Sequence, residues 1–298
     1  MYKINVVIIA IALLLLNSKK TDAQGCSDAG FCSIVNHNKP TIGDSINKKM
    51  IHKIGVGYGL GEGTTHTFGI YYSNTLKIAT NTFWNNKIVA QYATGNLGNN
   101  LNLSDLLSSI SYNHSINKTK FTFIGGVKIP LNNSAAMYLP MPYQSSLGTF
   151  DAIGGVNYSY KKIFLQSAFQ IPIINFNKNT YLQNKLIDTT FSSTNGFIRK
   201  PDVLLRMGYL IGEKNKWKFT PNILAIYHLQ NDSYLNLKSE KITLIGSEGL
   251  TLNFNLISTY KISATKQIEF SLASPLVVRK IRPDGLTRAI TLGVEYQF

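Results

Sequence analysis

Along much of this chain, large apolar residues return at every second position. From Leu286 to Phe298 the even positions are Leu286, Arg288, Ile290, Leu292, Val294, Tyr296 and Phe298, with Thr287, Ala289, Thr291, Gly293, Glu295 and Gln297 between them. Neighbours on an extended strand point to opposite faces, so a period of two gives each strand one apolar and one polar face. Leu250, Leu252, Phe254, Leu256 and Tyr260 repeat the pattern, as do Ile268, Phe270 and Leu272, and Trp217, Phe219, Ile223, Ala225, Tyr227 and Leu229. Upstream it runs through Val203, Leu205, Met207, Tyr209 and Ile211, and through shorter runs such as Ile54-Val56-Tyr58, Phe68-Ile70-Tyr72 and Phe121-Phe123-Val127-Ile129. Helical spacing fits none of these runs.

The second face decides between two all-β architectures. A β-sandwich turns its polar face to bulk water and usually loads it with charge. Here that face is Gly, Ser, Thr, Asn and Gln with few charges. A confined wet lumen, with hydrocarbon against the apolar face, accounts for it better. Tyr58, Tyr72, Tyr92, Tyr112, Tyr160, Tyr260, Tyr296 and Trp217 fall towards strand ends, where the aromatic girdles of a membrane barrel lie. The pattern therefore predicts an all-β fold, a transmembrane antiparallel β-barrel of about 12 strands over 51–298. Closure is required because every backbone group inside lipid needs a partner.

Link lengths predict its orientation. Short links are read at Ser73-Asn74, Asn113 to Asn117, Lys161-Lys162, Glu213 to Asn215 and Ser263 to Thr265. Long ones are read at Gly95 to Leu103, Pro130 to Leu147, Asn175 to Lys200 and Asn231 to Gly249, and Thr75 to Thr94 is read as one long strand. Tight periplasmic turns alternating with longer external loops are the habit of outer-membrane barrels. Pro283-Asp284-Gly285 is a turn sequence, so the last external loop is expected to be a tight hairpin.

The first residues change the compartment. Lys3 precedes an unbroken apolar run of eleven residues, Val6 to Leu16, and Thr21-Asp22-Ala23 follows. A membrane span needs about 20 apolar residues, so this reads as a secretory signal over 1–23, cleaved before Gln24. The segment 24–50 is then a periplasmic tail or a plug for the lumen. It carries Cys26 and Cys32, which in an oxidising envelope are most simply a local disulfide. A soft-metal site with His37, Met50 and His52 is the alternative; the spacing matches no known metal signature. No metal or other cofactor is expected.

Charge adds little. The chain carries +15, which loss of the leader lowers to +13. Lys and Arg are scattered rather than blocked, and export removes the chain from the cytoplasm, so nucleic acid is not an expected partner. Anionic lipid head groups or anionic solutes suit the charge better.

Two stretches resemble known proteins. Tyr296-Gln297-Phe298 is similar to the terminal aromatic signal read by the barrel-assembly machinery. Leu139 to Asp151, followed by Gly154 to Tyr158, together with Asn102 to Tyr112, resembles outer-membrane transporters of the phenol-degradation (MetA-pathway) and fatty-acid-channel type, here in a Bacteroidota-like chain. These stretches cover about a fifth of the chain, and the Asn-Pro-Ala hatch motif of the fatty-acid channels is missing. The resemblance implies a monomeric outer-membrane barrel that passes small, often apolar molecules by diffusion.

Candidate residues follow from parity. Lys53, Lys87, Lys128, Arg206, Lys218 and His228 share the inward face with Asp105, Asp151, Asp202 and Glu269, and such mixed charges either select a solute or close a narrow barrel. Arg279, Lys280, Arg282 and Arg288 collect near the outer rim, where they are expected to meet the phosphates of lipopolysaccharide. An enzyme is not expected: His114 and Ser115 are adjacent, so on a strand they point opposite ways, which is unsuitable for an activated nucleophile. The open alternative to a channel is a structural or ligand-binding barrel acting through its external loops.

Overall fold

A computed structural model describes residues 50–298, apart from 135, 137, 185–189, 213–215 and 285–287. The leader, the N-terminal segment and the Cys26–Cys32 pair lie outside the described residues. The strands in chain order are β1 (Met50–Gly61), β2 (His66–Ala79), β3 (Thr82–Gly95), β4 (Gly98–Ile116), β5 (Thr119–Pro130), β6 (Thr149–Tyr160), β7 (Ile163–Asn175), β8 (Asp202–Tyr209), β9 (Trp217–His228), β10 (Ser233–Leu235), β11 (Lys241–Thr243), β12 (Gly249–Lys261), β13 (Gln267–Val277) and β14 (Arg288–Gln297). Twelve of them close into one antiparallel barrel, in which β1 pairs with both β2 and β14. Strands β10 and β11 are a small separate hairpin, so β9 pairs directly with β12. Among the described residues no helix is long and apolar enough to cross a membrane; the strands supply the crossing.

The apolar parity faces outward. Val56, Phe68, Ile70, Phe123, Leu205 and Met207 are exposed, each beside a strand neighbour of lower exposure. A soluble protein would not leave this much apolar surface uncovered; hydrocarbon covers it. Aromatic groups gather near both ends of the wall. Trp217 lies 4.9 Å from Tyr260 and 6.4 Å from Phe270 at one end, and Tyr58 lies 5.2 Å from Phe68 at the other. The terminal residue is tied in as well: Phe298 exchanges two backbone hydrogen bonds with His52 and stacks on its ring at 5.6 Å.

The strand number agrees with the sequence reading, but several boundaries differ: the last connection, expected as a tight hairpin at Pro283-Asp284-Gly285, spans 278–287, and Asn113 to Ile116 belong to β4. Ser73 and Asn74 sit inside β2, and the turn falls at Thr80-Asn81, where Asn81 adopts φ 63°. Asn tolerates this left-handed conformation better than most residues. The turn was invisible to periodicity because Leu76 pairs with Trp84, both even-numbered, so outward parity runs through the hairpin unbroken. Conversely, Gly95 to Leu103 is no long loop: β3 passes to β4 through Asn96-Leu97 alone. Tyr92 pairs with Leu101, which flips the outward parity, and an irregularity at Ile88/Ala90 flips it back. That break in rhythm mimics a loop.

The long connections all lie at one end of the barrel, spanning 131–148, 176–201, 229–248 and 278–287, and the first two connections at that end, 62–65 and 96–97, are short.

Candidate functional site: the barrel interior and its cap

Around β4 to β9 the inward side chains are packed in tiers. Nearest the long-loop end is a polar tier. Lys128 forms an ion pair with Asp151 at 2.7 Å, both side chains 0% exposed, and Gln170 Nε2 donates to Asp151 at 2.5 Å. Asp105 accepts a hydrogen bond from Ser146 Oγ at 2.6 Å. Below it, Leu107, Ile124, Ile153, Ala168, Leu204 and Leu224 form an apolar cluster inside the barrel, with Leu204 and Leu224 at 0% exposure. A third tier is made of amides and hydroxyls: Thr122, Asn157 and Gln166 occupy successive register positions, Arg206 follows, and Asn255 Nδ2 donates to Asn222 Oδ1 at 3.0 Å. An apolar tier thus separates two polar ones in that half of the barrel.

The long-loop end is capped. Segment 131–148 leaves β5 and crosses to β3 and β4 before returning to β6. Its Met141–Tyr143 stretch forms a short 3-10 turn, with φ fixed at Pro140 just before it and at Pro142 inside it. Tyr143 is fully buried: its hydroxyl accepts from Leu97 N at 3.2 Å and its carbonyl from Asn100 Nδ2 at 3.0 Å. Gln91 Nε2 donates to Gln144 O at 3.3 Å. Segment 176–201 lies alongside, with Phe191 edge-on to Tyr143 at 5.8 Å and Asn179 Nδ2 donating to Leu139 O at 2.8 Å.

A charged lattice ties the remaining loops to the rim. His228 Nδ1 lies 2.6 Å from Asp202 Oδ1 and its Nε2 lies 2.8 Å from Asp232 Oδ1. Arg199 bonds to Asp202 and, at 2.6 Å, to Asp284 Oδ2. Arg279 bonds to Asp284 as well, and donates to Ser247 O at 2.7 Å. Burial by itself would raise the Asp284 carboxyl, but the guanidinium groups of Arg279 and Arg199 outweigh it and hold the carboxyl below its ordinary range.

The wall formed by β13, β14, β1 and β2 differs. Most of its inward side chains at mid-height remain partly solvent-accessible: Glu269, Ser271, Ala273, Thr291, Glu295, Lys53 and Tyr71. Lys53 Nζ bonds to Glu295 Oε1 at 2.8 Å, Tyr71 donates to Glu295 Oε2 at 2.8 Å, and Lys87 Nζ lies 3.7 Å from the centre of the Tyr71 ring.

All ten residues expected inside, Lys53, Lys87, Asp105, Lys128, Asp151, Asp202, Arg206, Lys218, His228 and Glu269, occupy inward positions on their strands. They do not form one site. Lys128, Asp151 and Asp105 join the buried tier; Asp202 and His228 join the rim lattice; Lys53, Lys87 and Glu269 line the accessible wall. The rim cations need a correction. Arg279, 3% exposed, turns to Asp284, and Arg282 forms an ion pair with Glu62, so internal carboxylates take the place expected for lipid phosphate. Lys280 is exposed, and the Arg288 side chain lies outside the described residues. Sequence reasoning missed the apolar tier, because Leu204 and Leu224 sit among outward-facing apolar neighbours, and missed Arg199, Asp232 and Asp284, which lie in loops without a period. Glu295 and Tyr71 had the inward parity and could have been found by it.

The fold is that of an outer-membrane β-barrel: twelve closed antiparallel strands, apolar outside and polar within. No family model matches the chain, and no curated protein matches it in sequence. Among solved structures, an outer-membrane channel from Pseudomonas putida F1 aligns with a TM-score of 0.57 at 10% identity, over 83% of this chain and 94% of that one. The NanC porin aligns at 0.45 with 9% identity, over 83% and 97%, and the CymD monoaromatic hydrocarbon channel at 0.42 with 9% identity, over 84% and 88%. The first likeness is one of fold, and the transporter resemblance read from Leu139 to Asp151 remains a resemblance.

Proposed function

We propose that the protein is a bacterial outer-membrane channel that passes small solutes by diffusion, without a catalytic step. The observation that carries this reading is the accessible inward wall along β13, β14, β1 and β2, enclosed by a barrel whose outer face suits hydrocarbon. A barrel needed only as an anchor would gain from filling that space, as the β4 to β9 side is filled. The barrel works as a monomer, is inserted by the barrel-assembly machinery through Tyr296 and Phe298, and meets lipopolysaccharide at its long-loop end, where Lys280 is exposed. A second reading has its own support: the ordered cap of 131–148 and 176–201 would suit a sealed barrel that binds a partner through its loops.

Planar-bilayer recording of the purified full-length protein separates the two. Discrete conductance steps are expected, with swelling of reconstituted liposomes in a small permeant solute. A barrel that inserts and stays electrically silent would remove the channel reading.

A further inference from the structure

Among the described residues, partly accessible inward positions at mid-height gather along one arc of this barrel. Inward positions on β4 to β9 and on β12 are largely buried, whereas most of those at mid-height on β13, β14, β1 and β2 are not; Gly55, covered by the Tyr71 ring, is the exception. The second arc is built from very small residues in register. Gly57 pairs with Gly69 on one side and with Gly293 on the other, and Gly293 pairs with Ser271, so four adjacent strands present almost no side chain at one level. A Cβ added at Gly57 would meet only Leu292 O, at 3.6 Å, and one added at Gly69 only Ala90 O, at 3.8 Å. Both distances are ordinary contacts with backbone of the wall itself; among the described residues, nothing else lies within 4 Å of a Cβ added at either glycine. The packed arc is the reverse: a Cβ at Gly126 or Gly155 would run into Ser109 or Ala168 at 2.6 and 2.5 Å.

What flanks the glycine level is polar. Towards the short-turn end stand Tyr71, Lys53, Glu295, Lys87 and Glu269, and towards the long-loop end stand Thr291 and the Glu62–Arg282 ion pair. The apolar tier does not reach this space, because its leucines are covered by their own neighbours. We infer that transit is eccentric: solutes pass along a polar corridor on the inner face of β13, β14, β1 and β2, at the seam where the first and last strands close, and Gly57 and Gly69 set its width. The corridor suits small hydroxylated or otherwise polar solutes. Its bare backbone leaves room, while hydroxyls and paired charges replace water around the solute; an apolar molecule finds little more than the Tyr71 ring and Ala273 there. This inference rests on the channel reading and specifies its path and solute class.

Gly57→Leu and Gly69→Leu place a branched side chain into the open space. In planar bilayers, each is expected to lower single-channel conductance roughly twofold or more, and to slow arabinose-driven liposome swelling, while Leu204→Ala in the packed arc leaves both nearly unchanged. Folding is checked by the heat-modifiable gel shift. If a leucine variant does not fold, Gly57→Cys in a Cys26→Ser/Cys32→Ser background gives the same reading, through conductance before and after a charged, water-soluble thiol reagent. A wild type that conducts, with glycine variants that conduct equally well, overturns the corridor and leaves the channel standing. Conduction of ions without arabinose entry overturns the solute class. A silent wild type overturns the channel reading itself.

Discussion

The two arcs of this barrel share a backbone and an outer face, yet they treat their inner faces in opposite ways. From β4 to β9 the inside is a buried core of ion pairs, leucines and amides; from β13 through β1 to β2 it is a level of glycine and serine beside a partly accessible charged cluster. The first arc behaves like the interior of a soluble protein, where every atom removed or added is felt. The second leaves room for added atoms at Gly57 and Gly69. One closed sheet thus divides stability from permeation, and its residues can be tested for which task they serve.

The largest effect is expected in the buried ion pair. Lys128→Met leaves the Asp151 carboxylate without its cation in a site of no exposure, a loss of about 3–5 kcal/mol by analogy with other broken buried pairs. It is read as a lower denaturant midpoint in detergent. Adding Asp151→Leu should recover much of it, since replacing both charges by apolar groups is often neutral. A single variant as stable as wild type would show that water reaches this arc. Next comes the apolar tier: Leu204→Ala should cost about 2–5 kcal/mol in the same assay, the usual range for a cavity in a packed core.

Overpacking gives a direct contrast between the arcs. Gly126→Ala forces a methyl group against Ser109 and the Ser108 carbonyl, at 2.6 and 2.7 Å, and should destabilise by about 1–3 kcal/mol. Gly57→Ala, the same change in the open arc, should stay within about 0.5 kcal/mol of wild type. Equal costs would mean that the arcs are packed alike.

Acid probes the rim above the packed arc. The Asp284 carboxyl is held below its ordinary range by Arg279 and Arg199. Its contribution is therefore present in full above the unfolded carboxylate value of about 3.9, and is lost as pH falls below that through the folded value. Protease accessibility of the long loops should be flat from neutral pH down to about 4 and rise only below it. Asp284→Asn should remove part of that acid step and raise accessibility at neutral pH; a step centred near pH 6 would point to a different group.

Much of this architecture was legible in the residues. The outward face of nearly every strand could be read from alternation, as could the strand number and most of the links. Lipid contact is a local property: each outward residue meets hydrocarbon whatever the other strands do, so its signal repeats along the chain. Boundaries failed where hairpin geometry carried parity through a turn, as at Asn81, or reversed it, as at Tyr92 and Leu101. Inward parity was equally legible, and it located ten charged positions without telling which would be buried.

That last distinction belonged to closure. Lys53 meets Glu295 only because β1 pairs with β14, 242 residues away in sequence, and Lys128 is dry only because loops and facing side chains cover it. By itself the chain determined which side of each strand turns to lipid, because that preference is written every second residue. Which part of the interior is filled and which stays open was decided by tertiary structure alone, since it depends on what stands across the lumen, and distance across a barrel leaves no period in the sequence.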